Sequence, residues 1–330
     1  MSRLIDSYNR PIDYLRISVT DRCNLRCVYC MPAEGIPLSE SENILRYEEL
    51  LRIADIAVRH GITKIRLTGG EPLVRKGIVE FIEKLAKLKG LEDLSLTTNG
   101  VLLKEFAFQL KKAGLNRINV SIDSLKPDRF YKITRGDFLN KVMEGLEESE
   151  KVGLSPVKIN CVVIKGFNED EILDFALLTK KKPYHIRFIE YMPFEVEEGW
   201  QKEKCISTSE LVGIINKFQE LIPLGNQEKR TGPARRYKFK DGLGEIGFIS
   251  PISDHFCGSC NRLRLTSDGK LRTCLFSDEE IDIKGALRSG CSDKELEDIL
   301  FNAVRKKPEK HFINDNIFKK CSRTMSFIGG

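Results

Sequence analysis

The sequence predicts an α/β protein: a partial, six-stranded (β/α)6 TIM-like barrel over residues 1–194, then a smaller C-terminal domain or extension over residues 195–330. Three observations carry this expectation. Six short β-rich runs recur in the first half, and segments with helical spacing separate them. Gly61, Gly90, Gly114 and Gly153 each close a helical stretch three or four residues before the next strand. Glycine after a helix accepts the left-handed conformation that ends it. Repeated strand–helix–strand units give parallel pairing with right-handed crossovers.

The runs come in order as "YLRISVT" (14–20), "KIRLTGG" (64–70), "LSLTTNG" (94–100), "RINVSID" (117–123), "VKINCVVI" (157–164) and "HIRFIEYM" (185–192). In the first helical segment, "YEELLRIADIAVRH", Leu50, Ile53, Ala54 and Ala57 fall on one face at i, i+3, i+4 and i+7. If the strands are parallel, the loops that follow them open on one face, where barrel enzymes carry their sites. Those loops hold the unusual sequences of the first half: "CNLRCVYC", "GGEP", "TTNG", "SIDS" and "EYMP". After residue 194 the alternation is lost. "FEVEEGWQKEKC" reads as a connection, and no repeat or low-complexity segment follows.

Composition bounds the class. With 41% hydrophobic and 31% charged residues and no long apolar run, the chain reads as soluble and globular, with no membrane partner. The start "MSRLIDSYNR" has no apolar stretch of a secretory signal, so a cytoplasmic location is expected. A net charge of +6 permits an anionic partner without requiring one. In a reducing compartment ten cysteines are not expected as disulfides. Six of them fall in two clusters and point to metal; Cys161, Cys205, Cys291 and Cys321 stand alone and read as inert thiols.

The first cluster, Cys23, Cys27 and Cys30, sits in a loop short enough for three thiolates to meet one centre. Neither histidine nor a fourth cysteine is at hand to complete a zinc cage within it. An iron–sulfur cluster is ordinarily held by four thiolates, so three leave one iron with an open position for a small molecule. The second group, Cys257, Cys260 and Cys274, also stops at three; spacing alone leaves an auxiliary cluster and a four-ligand zinc site both open. Arg262 and Arg264 alternate beside it, and paired guanidiniums suit phosphate oxygens, although two surface arginines read the same way. Arg16, Arg66 and Lys158 interrupt apolar strands. Facing inward they require an anion, because a buried unpaired charge is costly.

"CNLRCVYC" with "GGEP" resembles the signature of the radical S-adenosylmethionine (SAM) superfamily. Adding "LTTNG", "INVSID", "IRFIEYM", "FCGSCNRLRLTSDGKLRTCLF" and the terminal "FIGG", nearly the whole chain is similar to the GTP 3',8-cyclases of molybdenum cofactor biosynthesis. That resemblance implies two [4Fe–4S] clusters, one on Cys23, Cys27 and Cys30 and one on Cys257, Cys260 and Cys274. It implies SAM contacts at Tyr29, Gly70, Ser121 and Met192, the last reading equally as rim packing. It implies GTP contacts at Arg16, Arg66, Thr97, Lys158, Arg262, Leu263 and Arg264. Catalytic roles are implied for Arg16, Arg262, Arg264 and the terminal Gly329 and Gly330. The implied reaction gives (8S)-3',8-cyclo-7,8-dihydroguanosine 5'-triphosphate.

The implied partners are a reductant protein and the downstream cyclic pyranopterin phosphate synthase, with a homodimer left open and no nucleic acid. Two rivals remain at this point. One is a radical SAM enzyme with an auxiliary cluster that modifies a peptide, and the other is a zinc-stabilised nucleic-acid binder using Arg262 and Arg264.

Overall fold

A computed structural model describes residues 2–192, 202–225, 232–311, 313, 323 and 325–329 of the chain. The six expected strands form as β1 (Tyr14–Ser18), β2 (Lys64–Thr68), β3 (Asp93–Thr98), β4 (Arg117–Ser121), β5 (Lys158–Val163) and β6 (His185–Glu190). All pair in parallel in sequence order. Between them run α1 (Tyr47–Arg59), α2 (Ile78–Ala86), α3 (Leu103–Lys112), α4 (Pro127–Thr134), α5 (Leu139–Lys151) and α6 (Ile172–Lys181). The fourth crossover holds two helices, α4 and α5, a division the sequence reading did not draw.

Each strand ends about two residues earlier than the alternating pattern suggests. The last residues leave the ladder to build the rim loops. After β2, for example, Gly70 N–H donates to Thr20 O at 2.7 Å and Glu71 N–H to Arg22 O at 2.7 Å. The helices bury the faces their spacing predicts: Leu50, Ile53, Ala54 and Ala57 of α1 are fully packed against the sheet. Gly61 (φ +103°) and Gly114 (φ +95°) take the left-handed conformation where helices α1 and α3 close.

The C-terminal region supplies α7 (Thr208–Asn216), β7 (Ile222–Pro223), β8 (Arg235–Lys238), β9 (Glu245–Ile249), β10 (Arg262–Leu265), β11 (Lys270–Arg272), β12 (Ile281–Asp282), α8 (Ile283–Arg288), α9 (Asp293–Arg305) and α10 (Met325–Ile328). Among the described residues the strands form one open sheet in the order β12-β11-β10-β1-β2-β3-β4-β5-β6-β9-β8-β7. β9 extends it in parallel beside β6, and β10 in parallel beside β1. The barrel is therefore partial, and the C-terminal strands flank the six-stranded core on both sides. No described helix is long and apolar enough to cross a membrane.

Candidate active site

Side chains alternate across a strand, so parallel strands in register present rows of side chains on one face. Here Arg264 of β10 pairs with Arg16 of β1, Arg16 with Arg66 of β2, and Arg66 with Ser95 of β3. One row of three guanidiniums results. The intervening Leu15, Ile17, Leu263 and Leu265 go to the opposite face and are fully buried in the core.

The cationic face lines a cavity of about 740 Å³ that also reaches Cys23, Cys27 and Cys30. Arg66, Arg264 and Lys158 are each less than one-tenth exposed. Arg66 Nε donates to Ser95 Oγ at 3.2 Å, and its guanidinium lies 5.5 Å from the Tyr14 ring centre. Arg262 lies over Phe256 at 4.9 Å and near Tyr14 at 5.9 Å.

Crowded cations oppose one another's charge. Burial, then Arg187, Arg117 and Arg66, bring Lys158 down to about 6. Burial and then Arg66 bring Arg187 down to about 9. Burial and then Arg262 bring Arg264 down to about 10, and Arg16 falls well below its ordinary value through burial and Arg264. Burial alone would push the Tyr14 phenol up, yet Arg66, Arg16 and Arg262 together hold it below its usual value. Several cavity atoms are buried with no hydrogen-bond partner in the described structure: Thr97 Oγ1, Asn160 Oδ1, Tyr14 OH and Arg262 Nε. Buried polar groups are ordinarily paired, so this cavity is shaped for a polyanionic ligand bearing both donors and acceptors.

The first cysteine loop is fixed by backbone bonds. Arg26 N–H donates to Thr134 O and Val28 N–H to Ile133 O, while Cys30 and Met31 N–H both reach Cys27 O. Leu25 N–H at 3.4 Å and Asn99 Nδ2 at 3.8 Å point at Cys23 Sγ. Donors aimed at sulfur stabilise thiolate over thiol. Burial, then Cys30, Asp123 and Cys23, push the Cys27 thiol well above its usual value. Burial raises the Cys23 thiol too, despite those donors; sulfurs crowded in this way suit a cationic iron centre, which takes them as thiolates. The residues therefore fit an iron–sulfur cluster.

Tyr29 lines the same cavity, its OH donating to Asp123 Oδ2 at 2.6 Å; Val162 N–H donates to Asp123 Oδ1 at 2.8 Å. Ser121, Met192 and Gly70 line it too. Gly70 also packs closely against the protein's own backbone. Its missing side chain admits protein, because a Cβ there would lie 2.3 Å from Arg22 O, and its N–H is already given to Thr20 O.

Cys257 opens a tight turn in which Cys260 N–H donates to Cys257 O at 3.0 Å. Cys260 lies two residues before β10 and Cys274 two after β11, so the antiparallel pairing of β10 with β11 brings them near Cys257. Burial, with Cys274 and Cys260 adding to it, raises the Cys257 thiol. Phe256, Ser259, Asn261 and Leu275, next to these cysteines in the chain, line the cavity. Among the described residues no three His, Cys, Asp or Glu side chains are arranged to hold a single metal ion.

Of the remaining residues singled out in the sequence, Leu263 turns its side chain into the core, which leaves only its backbone between Arg262 and Arg264. Gly329 is buried, and its carbonyl accepts from Arg264 Nη1 at 3.2 Å. Gly330 lies outside the described residues. Sequence reasoning missed Tyr14, Arg117, Arg187 and Asn160 of the cavity wall. Arg187 carried a readable signal, since it interrupts an apolar strand as Arg16 and Arg66 do, whereas Arg117 opens its strand.

This partial barrel, with three thiols and a basic wall in one cavity, is of the radical SAM type. A family model described as "Radical SAM superfamily" matches residues 17–179, and one described as "Molybdenum Cofactor Synthesis C" matches 184–313. Relatives named GTP 3',8-cyclase include one from Thermodesulfovibrio yellowstonii, 54% identical over 98% of this chain and 99% of its own length. Another, from Moorella thermoacetica, is 50% identical over 98% and 99%. The chain belongs to the GTP 3',8-cyclase family. A crystal structure of Streptococcus suis SuiB bound to S-adenosylmethionine shares the fold at a TM-score of 0.61 and 16% identity, covering 89% of this chain and 68% of that one.

Proposed function

We propose that the chain binds GTP and SAM together in the one cavity and converts GTP to (8S)-3',8-cyclo-7,8-dihydroguanosine 5'-triphosphate, an early step of molybdopterin cofactor biosynthesis. The carrying observation is the in-register row of Arg264, Arg16 and Arg66 in the same cavity as Cys23, Cys27 and Cys30. A basic row and a cluster loop at one cavity are what a triphosphate substrate of radical chemistry requires. When bound, the reduced cluster and SAM supply a radical able to take hydrogen from C3' of GTP.

The chain's own residues bind and orient. Cys23, Cys27 and Cys30 hold the cluster, and Tyr29, fixed by Asp123, stands at its cavity side with Ser121, Met192 and the Gly70 backbone for SAM. Arg16, Arg66, Lys158, Arg262 and Arg264 neutralise the triphosphate, with Thr97 Oγ1 and the Leu263 backbone offered beside them. Charge-assisted bonds to phosphate are each worth roughly 1.5–3 kcal/mol, so several fix the nucleotide firmly. The apolar core face behind the row keeps water out of the sheet.

Cys257, Cys260 and Cys274 hold a second cluster in this reading. Residues 1–194 form the SAM barrel and 195–330 the auxiliary part. The partners it requires are a reductant protein and the cyclic pyranopterin phosphate synthase that takes the product, in a cytoplasm that keeps thiols reduced. The test uses anaerobically reconstituted, reduced protein with SAM, with and without GTP. We expect 5'-deoxyadenosine that rises with GTP, a product of GTP's mass, and about eight irons per chain for two clusters. Deoxyadenosine indifferent to GTP overturns the substrate.

A further inference from the structure

A buried cation behind the second cysteine set has no part in the binding roles above. Lys307 follows α9 and is 4% exposed. Its Nζ donates to Arg262 O at 3.1 Å and to Thr273 O. Arg262 lies two residues beyond Cys260, and Thr273 immediately precedes Cys274. One ammonium thus ties together the two strands that carry these cysteines.

A neighbouring cation sharpens the point. Arg10 is buried too and donates to Cys257 O, Pro308 O and Glu309 O, each at 2.7 Å. Its Nε, however, pairs with Asp6 Oδ2 at 2.6 Å, so the Arg10–Asp6 pair braces the loop without adding net charge. Lys307 gives its hydrogen bonds to these two carbonyls and, among the described residues, forms no ion pair with a carboxylate. An ammonium has three donors, and two of them meet neutral carbonyls, which satisfy hydrogen bonds without balancing its charge. Burying such a charge is unfavourable unless a counter-charge is near. Here the available counter-charge is sulfur held as thiolate.

We propose that Lys307 is the internal counter-ion of the auxiliary iron–sulfur cluster: it fixes Cys260 against Cys274 and raises the cluster's reduction potential. The inference rests on the proposed second cluster. Potentials of such clusters follow their net charge and the hydrogen bonds to their sulfurs, and a nearby cation favours the more negative, reduced form. The same contact anchors the carbonyl of Arg262, and with it the start of β10 that aims Arg262 and Arg264 into the cavity.

The experiment uses the full chain with Cys23, Cys27 and Cys30 replaced by Ala, so that only the auxiliary cluster remains. Iron content and the midpoint potential are measured with Lys307 intact and in Lys307→Gln, Lys307→Met and Lys307→Arg. With Lys307 intact, about four irons per chain are expected. Absence of iron there removes the second cluster itself, a failure distinct from any effect of Lys307.

The two neutral variants should show a potential lower by at least a tenfold change in the one-electron equilibrium, about 59 mV, while Lys307→Arg stays near the parent. Neutral variants that fold but hold no iron, with Lys307→Arg loaded, also support a required charge. Neutral variants at the parent potential overturn the proposal. So does loss of iron in Lys307→Arg as well, which would make the role one of shape.

Discussion

Arg16 of β1 and Arg264 of β10 are register partners in neighbouring parallel strands, so two guanidiniums project side by side from one face of the sheet. Adjacent strands lie about 4.8 Å apart, and like charges at that spacing repel unless an anion lies between them. The chain closes its basic wall by bringing a strand from near residue 264 back beside the first strand of the barrel.

The first prediction follows from that repulsion. Arg264→Ala should leave the thermal stability of the ligand-free protein unchanged or raise it. It should also shrink the stabilisation given by GTP, and weaken GTP affinity by roughly tenfold or more, as expected for a lost charge-assisted contact. Thermal melts with and without GTP measure both effects. A variant that melts lower without GTP and gains as much as the parent from it would contradict the row's role.

Lys158 gives a pH-dependent expectation. Its folded value is about 6 against an ordinary 10.5. Between those values the unfolded chain binds the proton and the folded chain does not, so stability from this group rises with pH through that window. Below about 6 the full cost of charging it is present. A triphosphate placed beside Lys158 should restore its proton. Calorimetry at pH 8 in buffers of different ionisation heat should find proton uptake on GTP binding, and Lys158→Met should reduce it by about one proton.

Glu71, the acid of "GGEP", is 1% exposed and raised to about 7 by burial. It accepts from Leu73 N–H at 3.0 Å, Thr98 Oγ1 at 2.7 Å and Asn99 N–H at 2.7 Å. Two rim loops therefore share one carboxylate. Glu71→Ala should destabilise the chain by about 1–3 kcal/mol in denaturant unfolding, since three donors lose their acceptor.

Much of this architecture is legible in the sequence because its signals are local. Period-two apolar runs, the glycines that close four of the helical stretches and three cysteines in one loop all act over a few residues. What lay hidden depends on long-range pairing. Nothing near residues 262–265 announces that β10 joins β1, so Arg262 and Arg264 could be read as neighbours of a cysteine group but not as partners of Tyr14 and Arg16. Lys307 was invisible for the same reason, since its acceptors lie 34 and 45 residues away. At Gly70 the bare Cα is required by Arg22 O, a neighbour from another loop that the local sequence does not show.

The terminal segment supplies a further expectation. Gly329 has φ +80°, and a Cβ there would lie 2.3 Å from Thr68 Oγ1. Gly329→Ala, or removal of Gly329 and Gly330, should leave iron content at the parent level and sharply lower GTP conversion. Normal turnover in the shortened chain would remove the tail from the active site.

The central claim is that one cavity brings the SAM chemistry to the ribose of GTP. It is tested most directly with GTP carrying deuterium at C3', incubated with the reduced holoenzyme and SAM. Deuterium should appear in the 5'-deoxyadenosine formed and be missing from the cyclised nucleotide at C3'. Deoxyadenosine free of label, formed while GTP is consumed, would contradict it.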